Sequence, residues 1–217
     1  MNKIQTLLIT IVLLFGISGS SIADYRDGLI AYGGKDYKTA IKEWQPLAEQ
    51  GNKDAQFWLG HIYHQGKGVL KNYKEAVKWH RKAAEQDHTS SQSILGMMYV
   101  KGEGVAKDER EGFKWQHRAA ELGDASAQNY LGTMYEFGEG VLKDYKEAVK
   151  WYRKAAEQND HYGQTNLGIM YIDGMGVLKD LNKAKYWIKK AYENPNINST
   201  SKAYVEMLWN DNELWRY

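Results

Sequence analysis

Four histidines lie close together in the sequence and are the first candidates for chemistry, because imidazoles can bind a metal ion. His61 and His64 are one helical turn apart, and His80 and His88 follow them. Two imidazoles at this spacing can share a zinc ion, but a metal site also needs further ligands and hydrogen-bonded supporting groups. The histidines do not recur along the chain, and no acidic residue stands at a matching position. We therefore expect imidazoles on the surface or in a groove, and no metal or other cofactor.

Ser199 and Lys202 form a second candidate, an S-x-x-K pattern at a predicted helix start. In serine β-lactamases a lysine at this spacing activates the serine nucleophile. The S-D-N and K-T-G sequences that complete such a site are absent, and Ser199 also suits a helix N-cap. The chain has no cysteine, which excludes thiol catalysis and cysteine-ligated zinc. We predict that the protein is not an enzyme, with β-lactam or peptidoglycan hydrolysis as the weaker alternative.

Many residues recur at intervals of 36 positions, which indicates repeated structural units. The clearest members are Gly60, Gly96, Gly132 and Gly168, then Tyr63, Tyr99, Tyr135 and Tyr171, and then Trp79, Trp115, Trp151 and Trp187. A period of this length is typical of helical pairs that stack into an all-α solenoid. Such proteins present extended binding surfaces, so the sequence favours a binding function over catalysis in a single cleft.

Each unit is predicted to contain two helices joined by a glycine-rich loop. Ala55 and Leu59 lie on one face of the first helix, because they are four residues apart. A Gly-x-Gly-Val loop follows, and Asn72, or aspartate in later units, is expected to cap the second helix. A glycine inside a helix lowers its stability by about 0.5–1 kcal/mol relative to alanine. We therefore expect Gly60 to permit close approach to the Ala83-Ala84 surface of its partner helix or of a neighbour.

The periodicity also predicts the domain organisation. We expect an incomplete leading unit at residues 24–51, four complete units at residues 52–195, and a C-terminal capping helix within residues 196–217. The capping helix is predicted to be amphipathic, with Tyr204, Leu208 and Trp215 on its apolar side.

Residues 1–23 have the features of a secretory signal peptide. Lys3 supplies a positive charge, residues 7–17 are almost wholly apolar, and small residues precede a cleavage position after Ala23. We therefore expect a periplasmic or secreted protein. An uncleaved anchor is the alternative, because residues 4–22 are long enough to span a bilayer.

Basic and acidic residues are nearly balanced, at 29 and 27, and are mixed along the chain. No basic block is present, so we expect no nucleic-acid partner and no membrane insertion after signal cleavage. Lysines at a spacing of four are expected to form a solvated face of the second helices, namely Lys74, Lys78 and Lys82, and Lys146, Lys150 and Lys154.

The pattern Ala-Gln-x-x-Leu-Gly-x-x-Tyr-x-x-Gly-x-Gly-Val, followed by Asp-Tyr-x-x-Ala-Val-x-Trp-Tyr-x-x-Ala-Ala-Glu-Gln, is clearest at residues 127–158. This unit resembles the Sel1-like repeat, a relative of the tetratricopeptide repeat, over nearly all of the chain after the signal. Gly112, Asp87 and Tyr192 depart from the usual residues. The resemblance implies a right-handed α/α superhelix that serves as a protein-interaction scaffold.

In tetratricopeptide-like stacks the first helices line a concave face, so the resemblance also implies where a partner binds. The positions of these helices that do not follow the repeat form a candidate binding row: Trp58, His61, Gln65, Ile94, Met97, Lys101, Tyr130, Thr133, Phe137, Asn166, Ile169 and Asp173. Aromatic residues and methionine are enriched at interfaces. The alternative for each residue is packing against the next repeat.

These observations predict a monomeric, non-catalytic protein that binds a protein or peptide partner in its groove. Small signal-bearing Sel1-like proteins include immunity proteins that neutralise secreted bacterial toxins, so the resemblance also implies this more specific alternative.

Overall fold

The computed structural model describes residues 25–216, and the predicted signal peptide lies outside them. Throughout this range the regular structure is helical, without a strand, so the all-α prediction is confirmed. The helices are α1 (residues 25–33), α2 (Tyr37–Glu49), α3 (Lys53–Gln65), α4 (Tyr73–Ala84), α5 (Thr89–Lys101), α6 (Glu109–Glu121), α7 (Ala125–Phe137), α8 (Tyr145–Glu157), α9 (His161–Asp173), α10 (Leu181–Tyr192) and α11 (Ser199–Asp211), and a 3₁₀ turn follows at Leu214–Arg216.

The described residues divide into two compact units. Unit 1 contains residues 25–91 and 103–105, and unit 2 contains residues 92–102 and 106–216. Helix α5 therefore begins in unit 1 and continues in unit 2. No helix within the described residues is long and apolar enough to cross a membrane.

The helix ends follow the predicted capping chemistry. Asn72 and Asp144 accept hydrogen bonds from backbone N–H groups at the starts of α4 and α8. The first helix of a pair ends at a left-handed glycine, as at Gly66 with φ 70°. The second helix is followed by Asp87 or Asn159, which also have positive φ. Each cap satisfies backbone groups that a helix end leaves without partners, so the helix lengths are set locally.

The two helices of a pair meet where the first helix lacks a side chain. A Cβ atom added to Gly60 would lie 2.9 Å from the His80 ring, and one added to Gly132 would lie 2.6 Å from the Tyr152 ring. Gly60 therefore faces His80, and the predicted contact with Ala83-Ala84 is wrong. In each 36-residue repeat the facing residue stands twenty positions after the glycine. Its side chain fills the space above the glycine.

Each unit has an apolar core of its own. In unit 1, Trp44 is fully buried and stacks on Trp58, with ring centroids 5.4 Å apart. In unit 2, the core contains Tyr152 and Leu167 and continues through Ile188 to Leu214. The first helices of unit 2 are therefore fixed on one side by the second helices.

The lysines of the second helices are exposed, and they also pack on tryptophan. Lys78 and Lys82 place Nζ 5.1 and 4.8 Å from the Trp79 ring centroid, and Lys154 lies 4.0 Å from the Trp151 centroid. Their stems cover the rings and leave the ammonium groups in water, as amphipathic side chains commonly do.

The predicted apolar side of α11 needs correction. Tyr204 and Trp215 are exposed, at 46% and 58%, and Val205 is buried instead. Leu208 packs against the core as predicted. Trp215 was misplaced because α11 ends at Asp211 and the chain then enters the 3₁₀ turn, which buries Leu214.

We expect Gly132→Ala to lower the free energy of unfolding by about 1–3 kcal/mol, because the added methyl group overlaps the buried Tyr152 ring. This loss should exceed the gain of about 1 kcal/mol in helix propensity. Urea unfolding measures the change. Gly33→Ala is the matched control, since nothing lies within 4 Å of its added Cβ. Equal stability of the two variants would show that the Gly132 contact is not tight.

Candidate functional site

The four candidate histidines do not converge on one point. His64 Nε2 lies 3.2 Å from Glu103 Oε2, and His61 packs beside Phe57 and Trp58. No group of three metal-binding side chains is found within residues 25–216. His80 is fully buried, so the prediction of a surface or groove imidazole is wrong for this residue. Its burial follows from its place opposite Gly60.

Ser91 is the point at which two of these imidazoles meet. His80 Nδ1 lies 3.4 Å from the Ser91 hydroxyl, and the Ser91 N–H donates to His88 Nδ1 at 3.2 Å. Burial lowers the pKa of His80 to about 3 and also lowers the pKa of His88. The neutral imidazoles are therefore part of the fold at neutral pH.

His88 acts as the N-cap of α5. The equivalent residues Asn52, Asp124 and Asp160 accept a hydrogen bond from the N–H three residues later, and His88 does so with a ring nitrogen. The acceptor role requires an Nδ1 without a proton. The ring stacks on Phe57 at 4.7 Å.

In unit 1 the predicted row contains three residues of α3. Trp58 is half-buried, its Nε1–H donates to the Tyr25 hydroxyl at 3.2 Å, and its ring stacks on Trp44. His61 is also half-buried, and Gln65 is exposed. Trp58 is therefore chiefly a packing residue, which is the alternative that the sequence left open.

In unit 2 the row residues of α5, α7 and α9 differ in exposure. Phe137 is 63% exposed, and Lys101 and Asp173 are also exposed. The others are partly buried and reach the surface at their edges: Ile94, Met97, Tyr130, Thr133, Asn166 and Ile169. The most accessible apolar side chain of this row is therefore Phe137.

Hydrogen bonds fix part of this row. Asn166 Nδ2 donates to Asn129 Oδ1 at 2.9 Å, which joins α9 to α7. The Tyr152 hydroxyl donates to Glu136 Oε2 at 2.5 Å, and burial is the largest cause that raises the pKa of Tyr152. Sequence reasoning missed Asn129, although it occupies a position whose residue type changes from one repeat to the next. These bonds join α7 to α9 and to α8.

The Ser199 and Lys202 pattern has no catalytic geometry. Asn198 is the N-cap of α11 and accepts from the Ser201 N–H at 2.8 Å, so the predicted capping role of Ser199 is wrong. Lys202 Nζ lies 4.3 Å from the Tyr192 ring centroid. The lysine therefore packs on the aromatic ring at the end of α10.

The Sel1 repeat matches four consecutive segments, at residues 53–88, 89–124, 125–160 and 161–196. The chain belongs to the Sel1 repeat family. A comparison with curated proteins gives no match. The matched segments contain the helix pairs from α3 to α10, so the glycine contacts described above are those of the Sel1 repeats.

Solved Sel1 structures share this fold. A Sel1 repeat protein from Oxalobacter formigenes is 36% identical, with a TM-score of 0.82, over 89% of this chain and 78% of that chain. The protein c5321, a protective antigen of uropathogenic Escherichia coli strains, is 34% identical, with a TM-score of 0.80. That match covers 90% of this chain but 42% of the antigen. The predicted solenoid fold is confirmed.

The immunity protein Pa5087 from Pseudomonas aeruginosa has the same fold at low sequence identity. It is 16% identical, with a TM-score of 0.51, and the match covers 89% of this chain and 82% of that chain. At this identity the likeness concerns the fold alone.

We expect acid to destabilise unit 1 through His80. Unfolding returns its pKa to about 6.5, so the unfolded chain binds the proton first as the pH falls. The stability contributed by the neutral ring is present above about pH 6.5 and falls by about 1.4 kcal/mol per pH unit below it, or about 2 kcal/mol at pH 5. Urea unfolding at pH 7.5 and pH 5 measures this loss.

His80→Gln is the matched variant, because Gln116 occupies the equivalent position opposite Gly96. In this variant most of the decrease in the free energy of unfolding between pH 7.5 and pH 5 should disappear. A smaller pH dependence should persist, because burial also lowers the pKa of His61 and His88. Identical pH dependence in the variant and the wild type would contradict the assignment to His80.

Proposed function

We infer that this Sel1 repeat protein is a non-catalytic scaffold that binds a segment of a protein partner on the exposed row formed by the first helices of unit 2. The observation that carries the proposal is the 63% exposure of Phe137 on a helix whose other face is packed in the core. A large aromatic side chain held in water by a rigid helix is a suitable anchor for a partner. The binding function also follows from the use of Sel1 repeats in protein interaction.

The chemistry of the row supports binding rather than turnover. Its members are mainly apolar or amide side chains, and the two that are charged, Lys101 and Asp173, lie on different helices. His80, the imidazole whose pKa is lowered most, is buried away from solvent. We therefore propose that the protein has no catalytic activity and acts as a monomer. The sequence of residues 1–23 supports a location in the periplasm or outside the cell.

A role as an immunity protein is a narrower form of the same proposal. The fold shared with Pa5087 is compatible with it. A toxin would then bind on the same row, with Phe137 as its proposed anchor. The general proposal does not depend on this specialisation.

Selection of random peptides displayed on phage against the purified protein tests the proposal. We expect selected peptides to lose about tenfold or more in affinity for Phe137→Ala, because an interface anchor contributes more than 1 kcal/mol. Fluorescence anisotropy with synthetic versions of the peptides measures the change.

Leu142→Ala is the matched control for this experiment. Leu142 is 89% exposed, belongs to the same unit and lies in a loop outside the row. Its removal should change peptide affinity less than twofold. Equal losses for the two variants would place binding elsewhere. Trp58→Ala is a poor test, because it would also remove the stacking on Trp44.

A further inference from the structure

Helix α11 continues the row of unit 2. Asp160 and Asn198 cap α9 and α11 by the same contact, each accepting from the N–H three residues later, at 2.7 and 2.8 Å. Aligning the helices at these caps places buried Val205 at the position of buried Leu167. Val205, Leu208 and Trp209 pack into the same core as Leu167, so we assign α11 the orientation of a first helix.

The same alignment assigns exposed residues of α11 to the row. Tyr204, Met207 and Asp211 take the positions of Asn166, Ile169 and Asp173. Tyr204 and Met207 are 46% and 47% exposed, so both are accessible on this side of the helix. The sequence did not reveal this continuation, because the spacing between α9 and α11 is two residues longer than the 36-residue period.

Glu206 stands at the position where a second helix would have to pack against α11. It takes the position of Gly168, where Ile188 of α10 would lie 2.6 Å from an added Cβ. The Glu206 carboxylate accepts a hydrogen bond from the Tyr192 hydroxyl at 2.9 Å. A glutamate at this position fills the space that the second helix needs.

The ends of three first helices in unit 2 are acidic. Asp173 and Asp211 are the last residues of α9 and α11, and Glu136 lies in the last turn of α7. None of these three helices has a basic residue in its last turn, whereas α8 and α10 do. Carboxylates at a helix C-terminus add to the negative end of the helix dipole and oppose helix stability.

Within residues 25–216 neither aspartate forms an ion pair, although Lys179 packs beside Gly174, the residue after Asp173. Within the described residues no lysine, arginine or histidine nitrogen lies within 4.0 Å of either carboxylate. Both side chains are exposed, and both stand at the row position that Phe137 occupies in α7. Lys101 occupies this position in α5, so the acidic residues at this position are those of α9 and α11.

We propose that the row of α7, α9 and α11 binds a partner segment that carries lysine or arginine beside apolar side chains. This proposal rests on the proposed function and names the chemistry of its partner. Phe137, Ile169 and Met207 contact the apolar side chains of the segment. Asp173 and Asp211, together with the helix C-termini, attract its cationic side chains. Charge complementarity of this kind mainly raises the association rate and selects among partners.

Three fluorescein-labelled peptides of equal length and leucine content, whose polar positions are all lysine, all glutamine or all glutamate, test the proposal. Fluorescence anisotropy with the purified protein should give the order lysine, glutamine, glutamate from tightest to weakest. The preference for lysine should shrink as salt is added, because exposed charges are screened.

The double variant Asp173→Asn, Asp211→Asn should bind the lysine peptide about tenfold more weakly and the glutamine peptide unchanged. Its Tm should not fall, because each substitution removes a charge that opposes the helix dipole. Glu157→Gln is the control, since Glu157 is exposed on the second helix α8 of the same unit. This control should bind all three peptides as the wild type does.

Equal binding of the lysine and glutamine peptides would overturn the proposal while leaving the proposed function intact, provided that Phe137→Ala still weakens both. Failure of Phe137→Ala to weaken any peptide would instead contradict the proposed function. Light scattering gives a further outcome. If the wild type is a dimer and the double aspartate variant is a monomer, the occupant of the row is a second copy of this chain. This result would overturn the assignment to a separate partner.

Discussion

The close contact between a glycine of the first helix and a side chain of the second determines the rest of this structure. At Gly60, Gly96, Gly132 and Gly168 the missing side chain lets the second helix approach until another residue fills the space. This contact fixes the rotation of each first helix about its axis. Once the glycine side faces the second helix, the row positions face away from it, and Phe137 lies in solvent. The proposed binding surface is therefore a consequence of how the pair packs.

The residue opposite the glycine varies in type while its place stays the same. It is His80, Gln116, Tyr152 or Ile188 in the four pairs. The polar members need partners, and these reach neighbouring groups: Gln116 Nε2 donates to the Ser93 carbonyl at 2.8 Å, and the Tyr152 hydroxyl donates to Glu136. His80 leaves its buried Nε2 without a partner. Burying a polar atom without a hydrogen bond costs free energy. Of the four pairs, the stability of the Gly60–His80 pair is therefore the most sensitive to its surroundings.

The helix pairs, their caps and their left-handed ends could be predicted because each depends on residues close in sequence. Asn72 caps α4 and Gly66 ends α3 for reasons contained in a few neighbouring positions. The partner of Gly60 could not be predicted in the same way, because it depends on the angle at which two helices cross. The role of Trp58 was also uncertain, since its stacking on Trp44 requires α2 to be placed first. The side of α11 assigned to Trp215 was wrong because the helix ends at Asp211 and Trp215 lies in the 3₁₀ turn that follows.

Glu206 also determines how a protein of this kind can change in length. New repeats can be inserted without strain only where a first helix offers a glycine to the helix that follows it. Helix α11 offers a carboxylate that is already bonded to Tyr192. Duplication of repeat-sized segments is therefore compatible with the fold anywhere from α3 to α10, whereas addition after α11 would first require the loss of this one side chain. A single residue thus separates the part of the molecule that is modular from the part that ends it.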